Sequence, residues 1–168
     1  EPLLNLPVVL DTVHHARERY RGTGKDPIFY LVTNGTLLTP DVSKTLQDLD
    51  IQILVSIDGP PAVHDDLRRG PDGAATYDLI ASHLRRLSGS LRFGCVTILS
   101  RHATSLVDQV EHLGSLGCND VIFRLPMHLV DGADDWPESE STSVKQQLSR
   151  FALFYLEGCV ASKWERRW

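Results

Sequence analysis

The sequence predicts an α/β fold built on a parallel sheet, and three observations carry that expectation. Apolar runs of strand length alternate along the chain with amphipathic segments of helix length. A helical segment separates every pair of strands, which a parallel crossover requires and a hairpin does not. The first two strands each stop at a turn, at Thr33-Asn34-Gly35 and at Ser56-Ile57-Asp58-Gly59-Pro60. If those strands are parallel neighbours, both turns open onto one carboxyl rim, the place where α/β folds put their chemistry.

The elements follow in order. Pro7 suits the first turn of a helix with Val9, Val13, Ala16 and Tyr20 on its inner face, stopped by Gly22-Thr23-Gly24. Residues 28–32, an unbroken apolar run, read as a strand buried on both faces. Thr39-Pro40 supplies an N-cap and a first-turn proline for a short helix with Val42, Leu46 and Leu49 inward. Residues 51–57 form the second buried strand. A turn-rich stretch containing Gly70, Pro71 and Gly73 leads to Thr76 as the N-cap of a helix striped by Tyr77, Ile80, Leu84 and Leu87. Residues 92–99 are the third strand. Thr104 or Ser105 caps the next helix, with Leu106, Val110 and Leu113 inward and Gly117 as a left-handed C-terminal cap. Residues 121–125 make the fourth strand, and 126–141 form a polar, acidic, turn-rich segment too long for a simple connector. The last helix carries Val144, Leu148, Phe151 and Tyr155 at helical spacing. The order αβαβαβαβα implies right-handed crossovers. Periodicity alone leaves an open sheet and part of a (β/α) barrel equally available.

At 168 residues, 42% hydrophobic and 23% charged, the chain has the composition of one ordinary globular domain. A net charge of −5, with Arg68-Arg69 and Arg166-Arg167 as the densest basic spots, argues against a nucleic-acid or anionic-membrane partner. No apolar run approaches the roughly 20 residues of a membrane helix, and a cytoplasmic protein is expected. The chain opens at Glu1-Pro2 without Met and is expected to be cut from something longer. Cys95, Cys118 and Cys159 show no CxxC or CxxxC spacing, so buried reduced thiols are expected and a metal site is not.

Candidate site residues come from the strand ends. Alternation puts Ser56 on a face with Leu54 and Asp58, and Thr33 on a face with Phe29 and Leu31. Two hydroxyls at equivalent rim heights are donors for a small anion such as a carboxylate, and Arg68 adds a charge and a bidentate fork. The plainer alternative is that Thr33, Asn34 and Asp58 cap turns through side chain to backbone bonds. Arg124 stands in an apolar strand on the opposite face from Val121, Phe123 and Leu125, and a charge there needs a partner. It is expected to face a barrel interior near the rim and to contact substrate or SAM. His64 and Asp65 are expected to shape the loop that presents Arg68. His14, His15, His102, His112 and His128 read as surface or boundary residues, and the loop around Trp136 as a cover for the site.

Taken together, Thr33-Asn34-Gly35-Thr36-Leu37-Leu38, Ser56-Ile57-Asp58-Gly59-Pro60, His64-Asp65-x-x-Arg68 and Gly73-x-x-Thr76-Tyr77 resemble the radical S-adenosylmethionine (SAM) superfamily. More narrowly they resemble its SPASM-type branch of anaerobic sulfatase-maturating enzymes and peptide maturases. Glu1-Pro2-Leu3-Leu4 resembles the end of that branch's Gly-Gly-Glu-Pro-Leu-Leu motif, and the resemblance runs from Glu1 to about Leu125. It implies a partial (β/α)₆ TIM barrel over residues 1–125, with 126–168 as a loop and a helix that complete or flank it. It also implies an oxidoreductase that binds SAM and a [4Fe-4S] cluster and modifies a peptide or protein side chain through a 5′-deoxyadenosyl radical. Carried over residue by residue, Glu1 meets the SAM amino group, Thr33, Asn34 and Ser56 its amino-acid and ribose parts, and Arg68 its carboxylate. The CxxxCxxC loop that would ligate the cluster is not in this sequence, and neither is a cysteine-rich extension for auxiliary clusters. This stretch by itself is therefore expected to be inactive. A cluster-less barrel domain that recognises a peptide or a partner subunit is the alternative expectation.

Overall fold

Four strands, β1 (Phe29–Thr33), β2 (Ile51–Ser56), β3 (Phe93–Ile98) and β4 (Asp120–Arg124), pair in parallel and in sequence order in the computed structural model. The structure describes residues 1–87, 89, 91–99, 105–124 and 138–160. Helices α1 (Leu6–Tyr20), α2 (Pro40–Asp48), α3 (Pro61–Leu67), α4 (Tyr77–Leu87), α5 (Leu106–Ser115) and α6 (Glu138–Val160) fill the connections, after an opening 3₁₀ turn at Pro2–Asn5.

Burial decides between the two architectures that periodicity left open. Leu31, Ile53, Val55, Phe93 and Cys95 share one core with Val13 of α1, Leu46 of α2, Ile80 and Leu84 of α4 and Leu113 of α5. All of those strand residues lie on one face. On the other face Tyr30 is 61% exposed, Val32 43% and Ile122 39%, with Val96 of the central strand β3 a buried exception. Strands in sequential order, with crossovers of one hand, place their helices on one side. A doubly wound sheet would cover both. The fold is thus a wall of a (β/α) barrel: helices outside, one concave face open. For this reason β1 alternates between buried and exposed instead of being buried on both faces as its unbroken apolar run suggested. At the amino ends of the strands the open face hollows into a cleft of about 770 Å³, whose lining includes Tyr30, Gln52, Leu54, Arg92 and Asp120.

Local chemistry accounts for most element ends. Thr39 caps α2 by accepting from Val42 N (3.3 Å), and Ser105 caps α5 by accepting from Asp108 N (3.2 Å). Gly117, at φ 92°, ends α5 with the paired bonds Cys118 N to Leu113 O (3.2 Å) and Gly117 N to Gly114 O (2.9 Å). The predicted stripe on α4 is buried in full, with Ala81 added to it.

Four expectations are corrected. Tyr20 is exposed, and α1 anchors instead through Arg17, which donates to Leu49 O (2.5 Å) and lies 5.6 Å from the Phe29 ring centroid. The stretch read as turns after Pro60 contains α3, whose single apolar pair, Val63 and Leu67, gives little periodicity. Helix α6 begins at Glu138, inside the segment read as a loop to Ser141. Its Phe151 meets Phe123 of β4 edge to face at 5.5 Å, while Leu148 and Tyr155 stay exposed. Leu125, Thr104, His102, His128, Trp136 and Arg166-Arg167 lie outside the described residues. Among the described residues no helix is long and apolar enough to cross a membrane.

Candidate functional site at the carboxyl rim

The end of β1 is organised around one carboxylate. Glu1 Oε1 accepts from the Thr33 hydroxyl (2.8 Å) and from Leu3 N (3.0 Å), and its Oε2 accepts from Asn34 N (2.7 Å). Thr33 Oγ1 accepts in turn from Gly35 N (3.0 Å), and Asn34 Oδ1 from Thr36 N (3.0 Å) and the Thr36 hydroxyl (2.7 Å). Gly35 has no substitute. Its φ is 79°, and a Cβ there would stand 2.9 Å from Val55 Cγ1 and 3.0 Å from Ile80 Cγ2. The outcome is an exposed carboxylate whose orientation is set by three donors, with lone pairs left for a cation.

The end of β2 is organised around a second carboxylate, and this one is wholly buried. Asp58 Oδ1 accepts from Ile98 N (2.8 Å) at the end of β3 and from Arg68 Nη2 (3.4 Å), and Oδ2 accepts from Arg68 Nε. Its carbonyl accepts from Gln109 Nε2 of α5 (3.0 Å), and its N–H donates to His64 Nδ1 of α3 (3.3 Å). Gly59, at φ 119°, lets the chain turn against Gln109, whose Cγ would lie 3.3 Å from a Cβ.

His64 is fixed as the neutral Nε2–H tautomer by these partners. Nδ1 receives the Asp58 N–H, so Nε2 donates to Thr76 Oγ1 (3.1 Å), which donates to Arg68 O (3.4 Å). Burial holds the His64 pKa below the ordinary histidine value, against the pull of Asp58 and Asp65. Thr76 therefore spends its hydroxyl on His64. The cap of α4 comes instead from Asp65, whose Oδ1 accepts from Thr76 N (2.9 Å) and Tyr77 N (3.0 Å). The expectation that His64 and Asp65 shape the Arg68 loop is met in these bonds.

The geometry regroups the predicted residues. Thr33 pairs in register with Val55 and faces the helices, whereas Ser56 pairs with Val96 and faces the open side. The two hydroxyls do not converge on one anion, because strand neighbours in the same row share a face and Ser56 lies one residue beyond that row. Glu1, Thr33 and Asn34 form one cluster instead. The Arg68 fork is closed on Asp58 and is not open to a ligand along that edge. Ser56 is half-buried, and its hydroxyl has no protein partner among the described residues. Arg124 is exposed on the same open face, since β4 brings Ile122 opposite Val96 and Arg124 opposite Ile98.

Asp58 and Gln109 as anchors were missed. A carboxylate just past a buried strand, with an Arg ten positions on, was the available signal. The cysteines are free thiols. Cys95 lies behind the sheet with its pKa raised by a hydrogen bond with Cys118 and by burial, and Cys118 donates to Asp120 O (3.1 Å). They do not fit an iron–sulfur cluster, and no group of three His, Cys, Asp or Glu among the described residues could hold a metal ion.

No family model and no curated protein matches this sequence. Solved structures do match. The chain is similar to native anSMEcpe, an anaerobic sulfatase-maturating enzyme of the radical SAM SPASM type, with bound AdoMet and Kp18Cys peptide. Identity is 17% and the TM-score 0.72, over 94% of this chain and 45% of that one. With AdoMet and Cp18Cys peptide the same protein gives 16% identity and a TM-score of 0.75, over 96% of this chain and 46% of that one. The chain thus spans under half the length of these structures, and it shares the partial-barrel fold that the strand order and one-sided burial had indicated.

Proposed function

We propose that this chain is the central part of a radical SAM maturase of the SPASM type, acting in the cytoplasm on a peptide or protein side chain. In this reading residues 1–125 belong to the barrel portion, and 126–168 complete or flank it. The observation that carries the reading is the fold likeness to SAM-bound, peptide-bound structures over 94–96% of the chain, combined with two strand-end turns that carry that branch's residue pattern.

In this reading the Glu1 carboxylate, aimed by Thr33, Leu3 and Asn34 N–H, accepts the SAM ammonium. Asn34 contributes through its backbone, since its own side chain is turned back on Thr36. Ser56 offers its free hydroxyl to the amino-acid or ribose portion from the open face. Arg68 acts from behind, holding Asp58 and the β2–β3 rim in place. When bound, a [4Fe-4S] cluster would supply the one electron that splits SAM into methionine and a 5′-deoxyadenosyl radical. The cluster does not fit the residues of this chain, so its ligands belong to other residues of the intact protein.

The test is SAM titration by calorimetry into the anaerobically purified intact protein. Saturable binding that weakens several-fold in Ser56→Ala supports the reading, and no saturable binding refutes it. Release of 5′-deoxyadenosine under reducing conditions checks the catalytic half. Peptide binding without that product would instead identify a recognition module.

A further inference from the structure

Two of the described guanidinium groups at the rim are in opposite states. Arg68 has Nε and Nη2 committed to the buried Asp58 carboxylate. Arg124 ends β4 exposed, and among the described residues its side chain has no hydrogen bond or ion pair. It is also the charge on the carboxyl half of the open face, where its described neighbours Val32, Leu54, Ser56, Val96, Ile98 and Ile122 are all neutral. A lone cation above an apolar floor selects an anion attached to an apolar body.

The spacing separates two sources for the anion. Ser56 and Arg124 stand two strands apart and two residues out of row, on the order of 12 Å between their Cα atoms. The Glu1–Thr33 end of β1 lies a further strand away from Arg124, so a ligand centred there leaves Arg124 to a second group on the same face. An extended peptide advances about 3.3–3.6 Å per residue, so a stretch of about three residues spans the gap. We propose that Arg124 recognises an acidic side chain of the peptide substrate and sets substrate specificity, with SAM held at the β1–β2 end of the same face. This rests on the maturase reading above and names its substrate class as acidic peptides.

The probe is a pair of fluorescein-labelled peptides, Ala-Leu-Glu-Ala-Leu-Ala and its Gln counterpart, read by anisotropy with the intact protein. SAM affinity is measured in parallel by calorimetry. The wild type is expected to prefer the Glu peptide about tenfold, as one charge-assisted pair implies. Arg124→Gln should abolish the preference and Arg124→Lys restore part of it, with SAM affinity unchanged in both. Equal binding of the two peptides by the wild type overturns the proposal. So does an Arg124→Gln variant that loses SAM affinity while keeping the Glu preference, since that result assigns the residue to SAM. A wild type that binds no SAM yet still discriminates through Arg124 upholds the peptide site and refutes the maturase reading alone.

Discussion

Replacing Asp58 by Asn is the sharpest test of the rim as described. The amide keeps the shape of the carboxylate and can still accept from Ile98 N, which lies 2.8 Å from Oδ1. It turns an NH₂ toward Arg68, however, where two guanidinium donors now meet Oδ2 and Oδ1. Breaking a buried ion pair from one side costs about 3–5 kcal/mol. The Arg68 side chain is 29% exposed, so water recovers part of its charge, and about 2–3 kcal/mol is expected. With a urea slope near 2 kcal/mol/M, the midpoint falls by about 1–1.5 M. Circular dichroism during urea unfolding measures it. Arg68→Met strands the carboxylate instead and should cost more, because Asp58 is wholly buried. The double variant should lie nearer the wild type than the sum of the singles, with a coupling of at least about 1 kcal/mol. Additive effects, or a midpoint shift in Asp58→Asn below about 0.3 M, would show that the pair is not what fixes the β2–β3 rim.

Gly35→Ala should lower Tm by about 4–8 °C, the equivalent of roughly 2 kcal/mol in a chain of this size, because the left-handed φ and the Val55 and Ile80 contacts both oppose a Cβ; calorimetric melting checks it. Stability should also fall on mild acidification. The folded pKa of His64 lies below its unfolded value near 6.5, so the unfolded state takes up the proton first. The full contribution is present above that value and is lost as pH falls from about 6.5 through the folded pKa. Urea midpoints from pH 7.5 to 5.5 should show this slope in the wild type and a shallower one in His64→Gln. Glu1→Gln should leave the melting temperature within about a degree and weaken SAM about tenfold by calorimetry; unchanged affinity would remove Glu1 from the ammonium role.

The fold was legible because helix-side residues repeat with strong periods: Tyr77, Ile80, Leu84 and Leu87 predict a stripe and the stripe is buried. The same apolar richness misled at β1, where Tyr30 and Val32 continue the run of Leu31 but line the open face. Hydrophobicity records what a residue tolerates, and not whether another wall of the barrel covers it. Helix α3 was hidden because its seven residues have one apolar pair, whereas α6 was legible as a helix but not in its inner face, since Leu148 and Tyr155 of its stripe stay exposed. At the site, residue type and rim position were legible from the turns. Partnership was not: the Arg68–Asp58 and Glu1–Thr33 bonds depend on three-dimensional register, which the alternation rule fixes within a strand but not past its last residue.

That register separates polar residues that hold the rim from polar residues that face a ligand. Asp58, His64, Gln109 and Arg68 are buried or committed to one another, and their bonds tie β2, β3, α3 and α5 together. Ser56 and Arg124 share the open face, and neither has a protein partner among the described residues. Desolvating a polar group without a partner is costly, and the first group offsets most of that cost because its members bond one another, with Gln109 Oε1 alone among them left buried and unpaired among the described residues. The second group carries no such penalty while water occupies the face, and it is free to exchange water for ligand. The difference gives a rule that runs through all the substitutions above. Changes in the first group should move unfolding midpoints and drag ligand affinity with them. Changes at Ser56 or Arg124 should move affinity alone. Glu1 is intermediate, since three protein donors orient it while its exposed carboxylate keeps lone pairs for an ammonium. An Arg124→Gln variant that unfolds at markedly lower urea, or an Asp58→Asn variant with wild-type stability and lost SAM binding, would break the rule and with it the assignment of Arg68 as a support.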